Sequence, residues 1–86
     1  MSSDLRDKAA VVTGGTRGIG YAITRALLAE GAKVFICGRD PATLKAALDR
    51  LGRDGKDRVD GLVADVRRYE ECRELIRAAA RRFGGL

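Results

Sequence analysis

Three glycines, Gly14, Gly18 and Gly20, follow a short apolar run that ends at Thr13, and helical periodicity begins directly after them. A strand that turns through glycines into a helix aims backbone N–H groups, and the positive end of that helix, at one point in space. The chemistry this suits is the binding of a phosphate. The glycines divide the work. Gly14 lets the chain turn sharply off the strand, Gly18 removes a side chain where a pyrophosphate must approach, and Gly20 permits close packing of helix on strand. The spacing is Gly-x-x-x-Gly-x-Gly, and a purely structural turn can carry the same three residues.

Two further strand ends bear on the same ligand. About twenty residues past such a turn, an acidic residue commonly holds the adenosine ribose 2′-hydroxyl. Here that position holds Gly38 and Arg39. A guanidinium without a carboxylate suits a 2′-phosphate, which arginine can pair bidentately. Arg17, within the glycine turn, is a second candidate for that phosphate, and the alternative for Arg39 is an exposed loop arginine. At the third strand end, Asp65 can accept from an adenine amino group while the Val66 N–H reaches a ring nitrogen. Asp65 can equally cap the following helix ahead of Arg67. Both roles remain open.

Other chemistry is excluded. The chain of 86 residues has no histidine, and Cys37 and Cys72 lack the close spacing of a metal site. That removes the common zinc sites and every histidine-based nucleophilic scheme. Both cysteines read as small buried thiols. The net charge of +5 owes much to Arg67, Arg68, Arg73, Arg77, Arg81 and Arg82. Such a run is either a nucleic-acid surface or a solvated helix face on which Glu70, Glu71 and Glu74 are ion-pair partners. No nucleic-acid-binding motif accompanies it, so no nucleic-acid partner is expected. No apolar run approaches the ~18 residues that span a membrane, and the N-terminus has no apolar signal core. The expectation is a cytoplasmic protein with no membrane partner.

The elements that must position these residues alternate three times. Residues 8–13 read as a strand. Residues 18–30 read as a helix with Ile19, Ala22, Ile23, Ala26 and Leu27 facing inward and Gly31 as its stop. Residues 33–37 are continuously apolar through Val34, Phe35 and Ile36, the pattern of a parallel strand covered on both faces. Asp40 caps a second helix with Pro41 at its first position, and Leu44, Ala47, Leu48 and Leu51 form its stripe. Residues 52–57 read as a loop. Residues 59–64 form a third strand, and residues 67–83 a third helix with Tyr69, Cys72, Ile76, Ala79 and Phe83 on one face. Gly84 and Gly85 end that helix, and Leu86 leads toward a further strand. The fold class is therefore α/β. It is a Rossmann-type parallel three-layer sandwich, the first β-α-β-α-β-α half of a doubly wound sheet in strand order 3-2-1. Strand one then lies at an edge, where an unpaired row of backbone groups is a liability.

Thr13-Gly14-Gly15-Thr16-Arg17-Gly18-Ile19-Gly20 resembles the Thr-Gly-x-x-x-Gly-Ile-Gly signature of the short-chain dehydrogenase/reductase family. The similarity continues through Val34 to Arg39, through Val63-Ala64-Asp65-Val66, and on to Arg82-Phe83-Gly84-Gly85-Leu86. It is greatest to NADP(H)-using members such as 3-oxoacyl-carrier-protein reductases and ketoreductases. The resemblance implies that Gly14, Thr16, Arg17, Gly18, Ile19 and Gly20 cradle the cofactor phosphates, that Gly38 and Arg39 serve the 2′-phosphate, and that Asp65 and Val66 hold adenine. It implies NADP(H) over NAD(H), and hydride transfer to or from a carbonyl or alcohol substrate. The family's catalytic Tyr-x-x-x-Lys is missing, because Arg25 follows Tyr21 at that spacing and Arg73 follows Tyr69. No catalytic residue or metal site is therefore assigned. Residues 1–86 are expected to be the N-terminal part of one dinucleotide-binding domain, inactive alone, with the catalytic half elsewhere or the assembly a homo-oligomer. The alternative is a free-standing nucleotide-binding or interaction module, completed by dimerisation or a partner chain.

Overall fold

In the computed structural model, which describes residues 5–84, the consecutive side chains Val34, Phe35, Ile36 and Cys37 are all buried. Side chains of a strand point alternately to its two faces, so both faces of this segment must be covered. It is the middle strand of a parallel sheet formed by β1 (Ala9–Thr13), β2 (Lys33–Gly38) and β3 (Val59–Val63), in the order β1-β2-β3. Val11 pairs with Phe35 across one side of β2, and Phe35 with Asp60 across the other.

Helices α1 (Gly18–Ala29) and α2 (Pro41–Gly55) cover one face, and α3 (Tyr69–Phe83) covers the other. On the first face Val34 and Ile36 pack with Leu28, Leu44, Ala47, Leu51 and Val59. On the second, Phe35 and Cys37 pack with Ala64, Leu75 and Ala79. The Phe35 and Phe83 rings meet edge to face with centroids 6.2 Å apart. Complete burial of a Val, Ile or Phe side chain contributes about 1.5–3 kcal/mol, so β2 anchors both cores. The three layers and the strand order are those of the expected Rossmann-type half-sheet.

The helix ends follow the sequence closely. Asp40 accepts from the Thr43 N–H at 3.2 Å, with Pro41 in the first turn of α2. Gly31, at a φ of +91°, closes α1, where its N–H donates to the Leu28 carbonyl and that of Ala32 to the Leu27 carbonyl. This is the double bond of a Schellman cap. Gly84, also left-handed, ends α3, while Gly85 and Leu86 lie outside the described residues.

Three expectations are corrected. The inward face of α1 is Thr24 and Leu28, with Tyr21 and Leu27 half-buried. Ile19, Ile23, Ala22 and Ala26 are exposed, Ile19 to 81%. Because β1 is the edge strand, the described sheet reaches under only one side of α1, and the second apolar stripe of this helix has nothing to pack on. Residues 52–55 belong to α2, and only Lys56–Arg58 leave it, as a 3₁₀ turn. Gly55 is closely surrounded there. A Cβ on it would come within 3.1 Å of the Leu28 side chain and 3.2 Å of Val59, so packing overrides the low helix propensity of glycine. On α3, Ala79 and Phe83 do pack on the sheet, but Leu75 replaces Tyr69 and Ile76, which are 73% and 48% exposed, and Cys72 is only half-buried, its thiol donating to the Val66 carbonyl. That helix begins at Tyr69 instead of Arg67.

The glycines within elements respond in opposite ways to an added methyl. Gly52 lies inside α2 with no other atom within 4 Å of the would-be Cβ, whereas a Cβ at Gly61 would sit 2.6 Å from the Ile36 carbonyl oxygen. Gly52→Ala is expected to stabilise by about 0.5–1 kcal/mol through its helix propensity. Gly61→Ala is expected to destabilise, by forcing β3 away from β2. Urea midpoints of the two variants against the parent chain measure both, and a lower midpoint for Gly52→Ala contradicts the assignment of residues 52–55 to the helix.

Candidate functional site

The parallel sheet sets the carboxyl ends of its strands side by side, and in open α/β sheets ligands bind outside those ends. Beyond them lies an open cleft of about 750 Å³, lined by Gly14, Thr16, Arg17, Cys37, Gly38, Arg39, Asp40, Thr43, Ala64, Asp65, Val66 and Arg67. Of the residues singled out in the sequence, Gly14, Thr16, Arg17, Gly38, Arg39, Asp65 and Val66 thus come together on one surface. Gly18, Ile19 and Gly20 do not line it.

The turn at the head of the cleft rests on Gly14 and Gly20. Gly14 has a φ of +67° and Gly18 one of +63°, a region that L side chains rarely adopt. Gly20 sits directly against the Gly14 carbonyl, where a Cβ would overlap the backbone oxygen. Its role is therefore to let α1 close onto its own turn, more than onto the strand. Thr24 fixes the same corner from inside, its hydroxyl donating to the Gly20 carbonyl at 2.8 Å. The first turn of α1 has no capping side chain and no acidic residue among the described residues, so its N–H groups and the positive helix end have no side-chain partner. Gly38 lies against Thr16, whose methyl would be 2.7 Å from a Cβ there.

Charges in the cleft are divided unequally. Asp40 is engaged by both the backbone and the hydroxyl of Thr43, which holds its carboxyl below the usual value, helped by the field of Arg17. Asp65 is engaged by Arg67 in two parallel bonds of 3.0 and 2.9 Å, and it also accepts from the Arg67 N–H at 3.0 Å. These bonds, with the charges of Arg67 and Arg39, bring its carboxyl to about 2. The Asp65 N–H in turn donates to Glu71 at 2.8 Å. Among the described residues neither Arg17 nor Arg39 makes an ion pair. The acids of the cleft are occupied, and two of its guanidiniums are free.

The two roles left open for Asp65 are thereby narrowed. It does not cap α3, whose N-cap is Arg68. It closes a tight turn onto Arg67 while still facing the cleft. Sequence reasoning did not assign Thr43, Arg67 or Glu71 to this region. The Asp-x-Arg and Asp-x-x-Thr spacings were visible, but which of them close on themselves depends on where each strand stops.

The chain matches the short chain dehydrogenase family over residues 8–86, and it belongs to that family. It is 45% identical over 75 residues to a Streptomyces violaceoruber protein named as ketoacyl reductase 1 of the granaticin polyketide synthase, covering 87% of this chain and 27% of that protein. It is 45% identical over 82 residues to an uncharacterised oxidoreductase of Staphylococcus aureus strain USA300, covering 95% and 34%. Among solved structures, a variant of actinorhodin polyketide ketoreductase with NADPH superposes with a TM-score of 0.84 at 39% identity, over 98% of this chain and 31% of that one. The Pseudomonas aeruginosa RhlG–NADP complex superposes with a TM-score of 0.81 at 37% identity, over 92% and 30%. The chain therefore spans about a third of the length of these relatives.

The Asp65–Arg67 turn has a measurable signature. A carboxyl lowered from 3.8 to about 2 in the folded chain contributes stability above about pH 4 and loses it as the pH falls through 2. Arg67→Gln removes the largest cause of the shift but keeps the residue 67 N–H bond and the Arg39 field, so the Asp65 carboxyl is expected to titrate above its parent midpoint while staying below 3.8. Carbon-13 carboxyl shifts followed from pH 6 to 1.5 report this, and an Asp65 midpoint that stays near 2 in the variant refutes the pairing.

Proposed function

We propose that the chain is the NADP(H)-binding segment of a short-chain oxidoreductase acting on a carbonyl or alcohol substrate. In this reading residues 1–86 form the N-terminal part of one dinucleotide-binding domain, and the catalytic groups come from outside them. The observation that carries it is the pair of unpaired guanidiniums, Arg17 and Arg39, on a cleft whose carboxylates are already engaged. A dinucleotide would lay its pyrophosphate along Gly14, Thr16 and Gly18 at the uncapped start of α1. There a side chain is absent at Gly18, and no other atom lies within 4 Å of the space it would take. Arg39, with Arg17, would pair the 2′-phosphate, and Gly38 would leave room beside Thr16. Asp65 and Val66 would meet the adenine edge. Ile19 and Gly20 contribute through the helix start and the closure of the turn. When bound, the cofactor supplies or accepts the hydride. The residues present here hold and orient it, and none of them is a candidate proton donor. The NADPH and NADP named in the ketoreductase and RhlG structures support the choice of NADP(H) over NAD(H).

Arg39→Ala is expected to weaken NADP⁺ binding by about 1–3 kcal/mol, the range for hydrogen bonds to charged groups, and to leave NAD⁺ binding nearly unchanged. Calorimetric titration with the two nucleotides measures this, and an equal loss for both removes the 2′-phosphate from Arg39. A second reading, a free-standing nucleotide-binding module completed by a second copy, is favoured by the open outer edge of β1 beside the exposed Ile19. Sizing chromatography at micromolar concentration tests this second reading, since it requires a dimer and a well-folded monomer rejects it.

A further inference from the structure

A second concave surface lies away from the strand ends, in the groove between α1 and the last turns of α2. It encloses about 480 Å³ and is lined by Tyr21, Arg25, Leu28, Ala29, Arg50, Leu51, Arg53 and Arg58. Four of these are arginines, and among the described residues none of the lining is acidic. Gathering like charges in one concavity raises a positive potential that low-dielectric walls concentrate. Two of the four have visible partners of their own. Arg58, half-buried, donates through one nitrogen to the Leu28 and Ala32 carbonyls at 2.8 and 3.1 Å, and so caps the negative end of α1. The Arg50 guanidinium stacks 5.0 Å from the centre of the Tyr21 ring. Neither contact neutralises charge. Among the described residues Arg25, Arg50, Arg53 and Arg58 make no ion pair, whereas Arg68 at the start of α3 and Arg73, Arg81 and Arg82 on it do.

We propose that this groove is an anion site, distinct from the strand-end cleft, that takes a small phosphorylated molecule. The volume is that of a small-molecule pocket. Arginine forks match phosphate oxygens bidentately, and the two contacts already made hold Arg58 and Arg50 in place, which lowers the entropy lost on binding. Leu28, Ala29 and Leu51 give the floor an apolar surface on which the organic part of a phosphate ester can rest. The proposal does not depend on the reading of the strand-end cleft.

Inorganic pyrophosphate is the probe, titrated into the full chain with NADP⁺ present in excess and ionic strength held constant with chloride. Amide shifts of Tyr21, Arg25, Ala29 and Arg53 are followed by NMR. They are expected to move along a saturating curve, and the double variant Arg50→Gln/Arg53→Gln is expected to weaken that curve at least tenfold. Both side chains are exposed on α2 and glutamine keeps the helix, so NADP⁺ affinity should stay as in the parent chain. A linear, non-saturating response overturns the proposal, as does an unchanged curve in the variant or shifts confined to residues 14–20. If pyrophosphate fails to saturate where a poly-glutamate peptide does, the groove is a protein-docking surface and the small-ligand assignment is wrong.

Discussion

Gly20 lies against the carbonyl of Gly14 with no room for a single carbon between them, and the site geometry depends on that contact. It fixes how steeply α1 leaves β1, and hence where the first N–H groups of the helix point. A methyl at position 20 would push the helix start outward and carry the whole of α1 with it. Leu28 would then be drawn from beside Val34 and Ile36. One missing side chain therefore links the glycine turn at one end of α1 to the core at the other. The buried Thr24 hydroxyl, bonded to the Gly20 carbonyl, holds the same link from the core side.

The second constraint is the double burial of β2. Because its side chains alternate between two cores, β2 cannot slip by one residue against β1 or β3 without exchanging Val34 and Ile36 for Phe35 and Cys37. The register therefore holds Thr13 beside Cys37 and Gly38 beside Val63. These are the residues after which the chain leaves the sheet, so all three exits occur at one level. Thr16, Arg39 and Asp65 face one cleft because three strands of similar length are locked at their ends.

Much of this was legible in the sequence. Strand positions, the Asp40–Pro41 start, the Gly31 stop and the glycine turn all rest on local chemistry that a few neighbouring residues determine. The errors fell where the decision is tertiary. Helix α1 is apolar along two stripes, and only the position of β1 at the sheet edge selects Thr24 and Leu28 over Ile19 and Ile23. Gly52 and Gly55 have the composition of a loop, yet both belong to α2, the second packed closely beside Leu28 and Val59. The turn from Asp65 to Arg67 was hidden for a similar reason. An aspartate two residues before an arginine is common, and its closure depends on where β3 ends.

The arginines show how one composition can serve three purposes, with the partners deciding which. At the start of α3, Arg68 and Arg73 are paired at helix spacing with Glu71 and Glu70. Exposed pairs of this kind add at most about 1 kcal/mol each, and they leave little field beyond the surface. In the strand-end cleft, Arg67 is consumed by Asp65 while Arg17 and Arg39 keep their charge. Between α1 and α2, among the described residues, Arg58 bonds to carbonyls, Arg50 stacks on a ring, and none of the four guanidiniums makes an ion pair. The excess positive charge of the chain is thus not spread evenly. Much of it is paired along the start and end of α3, while each of the two concave surfaces keeps guanidiniums that make no ion pair among the described residues.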